Sequence, residues 1–287
     1  MSNLQDRAQI LVEVLPYIRQ FYGKVVVVKC GGELMAEERI KENISEDLTL
    51  MRFVGIKPVI VHGGGLQVTQ FMEKLGKKAE FSEGMRKTDE ETIEIVEMVL
   101  GKINKDLVNL INRAGGKAAG LSGKDGSLIV ARKITSSSGE DLGMVGEAAS
   151  INPSIIKVLD GEGFIPVIAP LAVTDEGVTL NINADMIAAE IAIALKAEKI
   201  IILTNKPGIM RDINDENSLI STIPLSEIEA LIEKGIIHGG MVPKVKACKR
   251  ALEEGINKTH IIDGRIPHSM LLEIFTDKGI GTQLVKG

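Results

Sequence analysis

Apolar residues follow two kinds of pattern along the chain. Leu4, Ala8, Leu11, Leu15 and Ile18 recur at alternating spacings of four and three, which marks one face of a helix. Pro16 predicts a bend in it. The pattern fits a helix docked on its own domain and equally an arm that grips another subunit. Beyond it, short continuous apolar runs alternate with helical periodicity. Val25–Val28 predicts a strand, with a helix following through Ile40–Phe53. Val59–Val61 predicts a second strand, with a helix through Val68–Leu75. Residues 89–113 predict a long helix, Ala118–Leu121 and Leu128–Ala131 short strands, Pro166–Ala169 a buried strand and Asp185–Leu195 a helix. Ile200–Leu203, Leu225–Glu233, Val242–Glu253 and His260–Ile262 predict strand, helix, helix and strand. The loops around 135–146 and 171–181 carry Gly, Ser, Asp and Thr and predict hairpins.

Alternation of this kind predicts an α/β fold, a mostly parallel sheet covered by helices on both faces. The helix ending at Leu195 is followed by a fresh strand–loop–helix series, which places a boundary near residue 196. The expected division is an N-terminal helix over 1–24 and two lobes over 25–195 and 196–287.

Composition narrows the picture. The hydrophobic share of 44% suffices for a sizeable core, and with 3% aromatics and no tryptophan that core must be aliphatic. A formal charge of −5 argues against a nucleic-acid surface. The two cysteines, Cys30 and Cys248, are too few for a disulfide framework or a metal cluster. The start MSNLQDRAQI lacks the basic and apolar regions of a signal peptide, and no apolar run reaches membrane-spanning length. A cytoplasmic protein is expected, with neither membrane nor nucleic-acid partners.

Four segments could carry chemistry. In Val25–Gly32 a buried strand runs into Lys29, Gly31 and Gly32. Glycines let a backbone approach a ligand closely, and the lysine sits at the strand's carboxyl end, where open α/β sheets bind ligands. The same segment also reads as a tight turn with a solvated lysine. In Val59–Gly65 a strand again meets glycines before a helix, an arrangement suited to anions. His62 within it is either a base or a hydrogen-bonded histidine shaping the turn. Asn181, Asn183 and Asp185 open a helix; one of them suffices for a cap. Gly239–Lys244 puts a lysine in the first turn of a helix, where a cation is disfavoured, so either an anion offsets it or solvent does. Arg86, just before a helix, suits capture of a carboxylate. Neither GxxxxGK[ST] nor GxGxxG is present, and no Ser–His–Asp arrangement, Cys–His pair or HExxH stretch is visible. Glycine plus lysine at strand ends fits phosphoryl transfer, which rests on positioning and charge stabilisation. A carboxylate acceptor, already ionised at neutral pH, needs no general base.

In the order KCGG, VHGGG, GMRKTD, NINAD, LTNKPGI and GGMVPK, these segments resemble the amino acid kinase family over nearly the whole chain, from Leu11 to Val285. The resemblance implies a three-layer α/β/α sandwich with two lobes, the first binding N-acetyl-L-glutamate and forming a dimer, the second binding ATP with Mg2+ carried on the nucleotide. It implies that Lys29 and Lys244 neutralise the transferring phosphoryl group, with Asp185 organising both. Gly31 and Gly32 would serve the phosphates, and Gly64 and Gly65 the acceptor chain. Arg86 and Asn181 would grip the acceptor α-carboxylate. Asn205, Lys206, Gly208, Met210 and Ile237 would line the nucleotide site, with no protein metal ligands. The leading helix and the segment His268–Thr282 resemble an arginine-inhibited branch that assembles as a hexamer, a trimer of dimers. In that branch Tyr17, His268, Glu273 and Gly281 would bind L-arginine; His268 and Glu273 equally read as a helix cap and a surface charge.

Four departures from the family pattern bear on this. Glu33 stands where a small residue is usual, Asn205 where Asp is usual and Leu66 where Pro is frequent. The helix around Met98–Lys105 reads one residue short, which would rotate the remainder of that helix by about 100° unless a bulge absorbs it. Two alternatives stay open: a sibling kinase for another acid, such as an aminoadipate derivative, and a binding or regulatory protein of the same fold without turnover.

Overall fold

The computed structural model describes residues 4–212, 214–277 and 279–287; residues 1–3 of the expected arm lie outside it. The elements in chain order are α1 (Leu4–Glu13), α2 (Leu15–Phe21), β1 (Val25–Cys30), α3 (Glu38–Phe53), β2 (Lys57–His62), α4 (Gly65–Lys74), β3 (Phe81–Ser82), β4 (Met85–Arg86) and α5 (Glu90–Arg113). Next come β5 (Ala118–Ser122), β6 (Ile129–Thr135), β7 (Asp141–Ile151), α6 (Ser154–Gly161), β8 (Ile165–Ala169), β9 (Leu171–Val173), β10 (Thr179–Ile182) and α7 (Ala184–Leu195). The chain ends with β11 (Lys199–Thr204), β12 (Thr222–Pro224), α8 (Ile228–Glu233), α9 (Met241–Glu253), β13 (Lys258–Asp263), α10 (Ser269–Ile274) and β14 (Thr282–Val285).

An eight-stranded sheet in the order β12-β14-β13-β11-β1-β2-β8-β5 forms the middle layer. Its ladders are parallel except for β13 against β14. Strand side chains alternate between the two faces. Val27, Val59, Val61, Ile200, Ile202 and Ile261 pack with α6, α7, α8 and α9 on one side. Val26, Val28, Ile60, Ile201, Leu203 and Ile262 pack with α3, α4, α5 and α10 on the other. The sheet runs unbroken across residue 196, since β1 pairs with both β2 and β11. A smaller closed barrel, β10-β7-β6-β9, and the hairpin β3–β4 stand apart from it.

The bend expected at Pro16 is a break. α2 restarts at Leu15 with Pro16 in its first turn, where the missing N–H costs nothing, whereas inside a continuous helix the ring would meet the carbonyl four residues back. Leu11 on α1 and Leu15 at the start of α2 are 71% and 44% exposed, so these described positions of the apolar stripe are not docked on this chain. The long α5 begins at the cap Asp89, whose carboxylate accepts the Thr92 N–H at 2.7 Å. It stays α-helical through Met98–Lys105, with no bulge at the apparent shortening.

Candidate active site

The site lies at the carboxyl ends of the neighbouring strands β11, β1 and β2. There two glycine turns touch. The Gly63 N–H donates to the Cys30 carbonyl at 2.8 Å, and Gln67 Nε2 on α4 donates to the Gly32 carbonyl at 2.8 Å. A Cβ on Gly32 would fall 2.9 Å from the Gly65 nitrogen, and one on Gly64 would fall 2.6 Å from Leu100 Cδ2. A larger residue at Gly32 would have to move backbone, and one at Gly64 would have to move the tips of Leu100 and Ile103. Gly64 caps α4 and Gly65 opens it, so the first N–H groups of that helix have no intrahelical acceptor and are available to an anion.

His62 is hydrogen-bonded at both ring nitrogens and shapes the turn. Its Nδ1 lies 3.0 Å from the Gly63 carbonyl, and its Nε2 lies 3.2 Å from Asn104 Nδ2. Burial pushes the imidazole down to about 4, so at neutral pH it is uncharged, donating from Nδ1 and accepting at Nε2. Asn104 is buried and also donates to the Val167 carbonyl at 2.9 Å. Both residues brace the turn from behind.

The cationic part of the site is built from three elements. Lys29 lies near the end of β1, on the same face as Val27, and so points toward α7 and α9. Its Nζ is 2.8 Å from Asp185 Oδ1. Lys244, in the first turn of α9, places its Nζ 3.2 Å from Asp185 Oδ2. Asp185 can reach both because a neighbour caps the helix: Asn183 Oδ1 accepts the N–H groups of Asp185 and Met186 at 2.9 and 3.1 Å. Burial would raise the Asp185 carboxyl, but Lys29 and Lys244 outweigh it and hold it below the usual carboxylate range. Burial, and then Lys29, push Lys244 below the ordinary lysine value against the pull of Asp185. Two cations and one anion leave a net positive charge in a largely buried setting, which calls for an anionic ligand.

Arg86 and Asn181 are brought together through a residue that the sequence pattern does not single out. Arg86 donates to the Gly65 carbonyl at 2.8 Å and to Thr69 Oγ1 at 2.6 Å, and its guanidinium lies 4.7 Å from the centre of the Phe81 ring. Thr88 Oγ1 donates to the Arg86 carbonyl at 2.8 Å and accepts from Asn181 Nδ2 at 3.5 Å. Thr88 belongs to the GMRKTD segment, but one hydroxyl in a loop carries no signal of its own.

The two departures beside the glycine turn contact each other. The Glu33 carboxylate accepts from Asn205 Nδ2. The acid is therefore paired with an amide from the neighbouring strand end rather than with a lysine, and an Asp at 205 would set two carboxylates against each other. Past Asn205, Lys206 is exposed, Gly208 is buried and Met210 is half-buried. Gly208 has φ +149°, and Met210 bridges to Leu219. Ile237 is buried in the same core cluster as Ile209.

A separate cavity of about 400 Å³ opens between α2, β13 and α10, lined by Tyr17, Lys199, His260, Glu273, Asp277 and Gly281 among others. Tyr17 donates to Asp277 Oδ1 at 2.6 Å. Glu273 Oε1 lies 2.9 Å from both Lys199 Nζ and His260 Nε2. His268, nominated with these residues, is not among those lining the cavity. At φ +55° it precedes α10, and its Nδ1 meets Asp47 on α3 at 2.6 Å. His260 does line the wall; within the apolar run of β13 it reads only as part of a buried strand.

Residues 24–263 match the amino acid kinase family. The chain is 52% identical over 285 residues to an acetylglutamate kinase of Desulforamulus reducens, covering 99% of both chains. It is 54% identical over 290 residues to one of Moorella thermoacetica, covering 98% of both. Among solved structures it is similar to an N-acetylglutamate synthase from Neisseria gonorrhoeae complexed with coenzyme A and N-acetyl-glutamate, with a TM-score of 0.86 and 26% identity. The match takes in 98% of this chain and 63% of that one. The same synthase complexed with coenzyme A and L-arginine gives a TM-score of 0.83.

Proposed function

The chain belongs to the amino acid kinase family, and we propose that it carries out the reaction of its acetylglutamate kinase relatives. The γ-phosphoryl group of ATP passes to the side-chain carboxylate of N-acetyl-L-glutamate, giving ADP and N-acetyl-L-glutamyl 5-phosphate for arginine biosynthesis. The observation that carries the reading is the convergence of Lys29 and Lys244 on Asp185 beside paired glycine turns.

The geometry supports a division of labour. Lys29 and Lys244 stabilise negative charge on the phosphoryl group as it moves, and Asp185 keeps their ammonium groups apart and aimed without reorganisation during the reaction. Backbone N–H groups at Gly31, Gly32, Gly64 and Gly65 add donors. Arg86 and Asn181 hold the acceptor α-carboxylate, so that the side-chain carboxylate lies in line for attack. That carboxylate is the nucleophile as it stands, and no side chain has to accept a proton. We assign residues 25–195 to the acceptor and 196–287 to the nucleotide, with Asn205, Lys206, Gly208, Met210 and Ile237 around it. The donors here suit phosphate rather than a resident ion: Asp185 is held by lysines and Glu33 by Asn205. Mg2+ would therefore arrive with ATP, where it supplies charge neutralisation on the phosphates.

For regulation, we assign L-arginine to the cavity of Tyr17, Glu273 and Gly281. Glu273 is the carboxylate for its guanidinium, in competition with Lys199 and His260. The exposed stripe of α1 supports a role in assembling dimers into a hexamer. The test of the central reading is incubation with MgATP and a panel of acids, acetylglutamate and an aminoadipate derivative included, with acyl phosphate trapped by hydroxylamine. Hydroxamate from acetylglutamate is expected. A signal from another acid alone overturns the substrate assignment, and ATP binding with no hydroxamate from any acid points to a binding protein.

A further inference from the structure

We propose that Thr282 is a positioning residue for the nucleotide, tying the loop that follows β11 to the wall of the arginine cavity. The inference rests on the placement of ATP at Asn205–Met210 and adds to it a residue outside that loop.

Ile209 is the fixed point of the loop. It is buried, its N–H donates to Thr282 Oγ1 at 2.8 Å, and its carbonyl accepts the Ile220 N–H at 2.9 Å. The preceding Gly208 presses on the same hydroxyl. At φ +149° it holds a conformation that L side chains rarely adopt, and a Cβ there would lie 2.7 Å from Thr282 Oγ1. Thr282 itself is fully buried at the start of β14. On the N–H side the loop is held by this one hydroxyl, whose removal leaves a buried N–H without an acceptor.

The hydroxyl is held from the other direction by the cavity. The Ile280 N–H donates to Glu273 Oε2 at 2.9 Å, while Oε1 of the same carboxylate meets Lys199 and His260. Gly281, which separates Ile280 from Thr282, has φ +82°, and a Cβ on it would lie 2.3 Å from the Ile261 carbonyl. This link has little room to flex. A cation that draws Glu273 away from Ile280 therefore displaces a short, stiff segment ending in the hydroxyl that positions Ile209. The cavity and the nucleotide loop are joined by two hydrogen bonds and three residues, a physical connection whose coupling a double-mutant cycle measures.

The test uses the full chain with Thr282→Val, Thr282→Ser and Glu273→Gln, reading the ATP Kd by calorimetry alongside KM for each substrate. Thr282→Val keeps the shape and deletes the acceptor. It should raise the ATP Kd and KM roughly 5–100-fold, the range for a stranded buried donor, with acceptor KM within about twofold. Thr282→Ser should restore ATP binding to within about twofold. Glu273→Gln should weaken ATP binding in the parent protein and add little to Thr282→Val. An ATP Kd for Thr282→Val within twofold of the parent overturns the proposal, as does a Ser variant as weak as Val. Fully multiplicative effects of Glu273→Gln and Thr282→Val overturn the link to the cavity. If Thr282→Val does not fold, Thr282→Ala and the Ser variant make the same comparison. Because Kd is read without turnover, a parent protein that binds ATP but phosphorylates nothing refutes the reaction and leaves this test standing.

Discussion

Asp185→Asn is the substitution that reaches furthest into the proposed chemistry. The side chain keeps its shape and loses the one anion between two buried ammonium groups, which lie 2.8 and 3.2 Å from it. Losing a single preorganised charge-stabilising group lowers kcat about 10²–10³-fold. Here both lysines lose their anchor together, so a loss at or above the top of that range is expected. The substitution also moves a proton. Lys244 is already pushed down by burial and by Lys29, and Asp185 is what pulls it back up. With that pull gone, Lys244 gives up its proton at lower pH. Since the protonated lysine is the active form, the alkaline limb of the kcat profile should shift toward lower pH in the variant. Stability should fall too, because removing one partner of a buried pair costs about 3–5 kcal/mol, which for a chain of this size is roughly 6–10 °C in Tm. The assays are a pH series of coupled ADP release and thermal unfolding by circular dichroism. A variant with kcat within threefold of the parent and an unmoved alkaline limb would refute the role given to Asp185.

Lys244→Ala alone should cut kcat about 10²–10³-fold while leaving acceptor KM near the parent value; unchanged turnover in the same coupled assay contradicts its assignment. Arg86→Ala should raise acceptor KM roughly 10–100-fold, the range for a charge-assisted hydrogen-bonded pair, and steady-state kinetics with ATP KM unaltered is the check. Glu273 bears on pH. Burial would raise its carboxyl, but His260 and Lys199 hold it down at about 2; since burial pushes His260 itself down, at neutral pH Lys199 supplies the charge and His260 a hydrogen bond. A carboxyl depressed on folding stabilises above its unfolded value and loses that contribution as pH falls through the folded one. Glu273→Gln should therefore cost about 2–3 kcal/mol above pH 5.5, with the gap closing toward pH 2 in denaturant titrations; a gap independent of pH contradicts the ion pair. Deleting residues 1–20 should reduce a hexamer to dimers in light scattering and weaken arginine inhibition, and a truncated protein that stays hexameric refutes the arm.

The sheet and its helices are legible in the sequence because strands such as Val25–Val28 and Ile200–Leu203 are buried on both faces and so are continuously apolar. α6 and α10 do not stand out by periodicity, since eight and six residues are too few for a helical repeat to declare itself. β12 and β14 are likewise short, at three and four residues. In the site, glycines and lysines at strand ends announce an anion, but the sequence does not say which of Asn181, Asn183 and Asp185 caps α7. That depends on side-chain direction, and Asn183 takes the cap. Nor does it reveal the Glu33–Asn205 contact, whose members are 172 residues apart and meet only because β1 and β11 are neighbours. The place of His260 in the cavity wall has the same origin: a histidine inside an apolar strand reads as core, and only the packing of α10 beside β13 shows it facing Glu273.

The claim at the centre is direct attack by the acceptor's side-chain carboxylate on the γ-phosphorus, with the charge held by Lys29 and Lys244. Phosphorus NMR with N-acetyl-L-glutamate enriched in oxygen-18 at that carboxylate tests it. An acyl-phosphate resonance shifted upfield by the heavy bridging oxygen is expected from the parent protein, depleted in Lys29→Ala and Lys244→Ala. An unshifted resonance, or an unchanged yield from the two lysine variants, would contradict it.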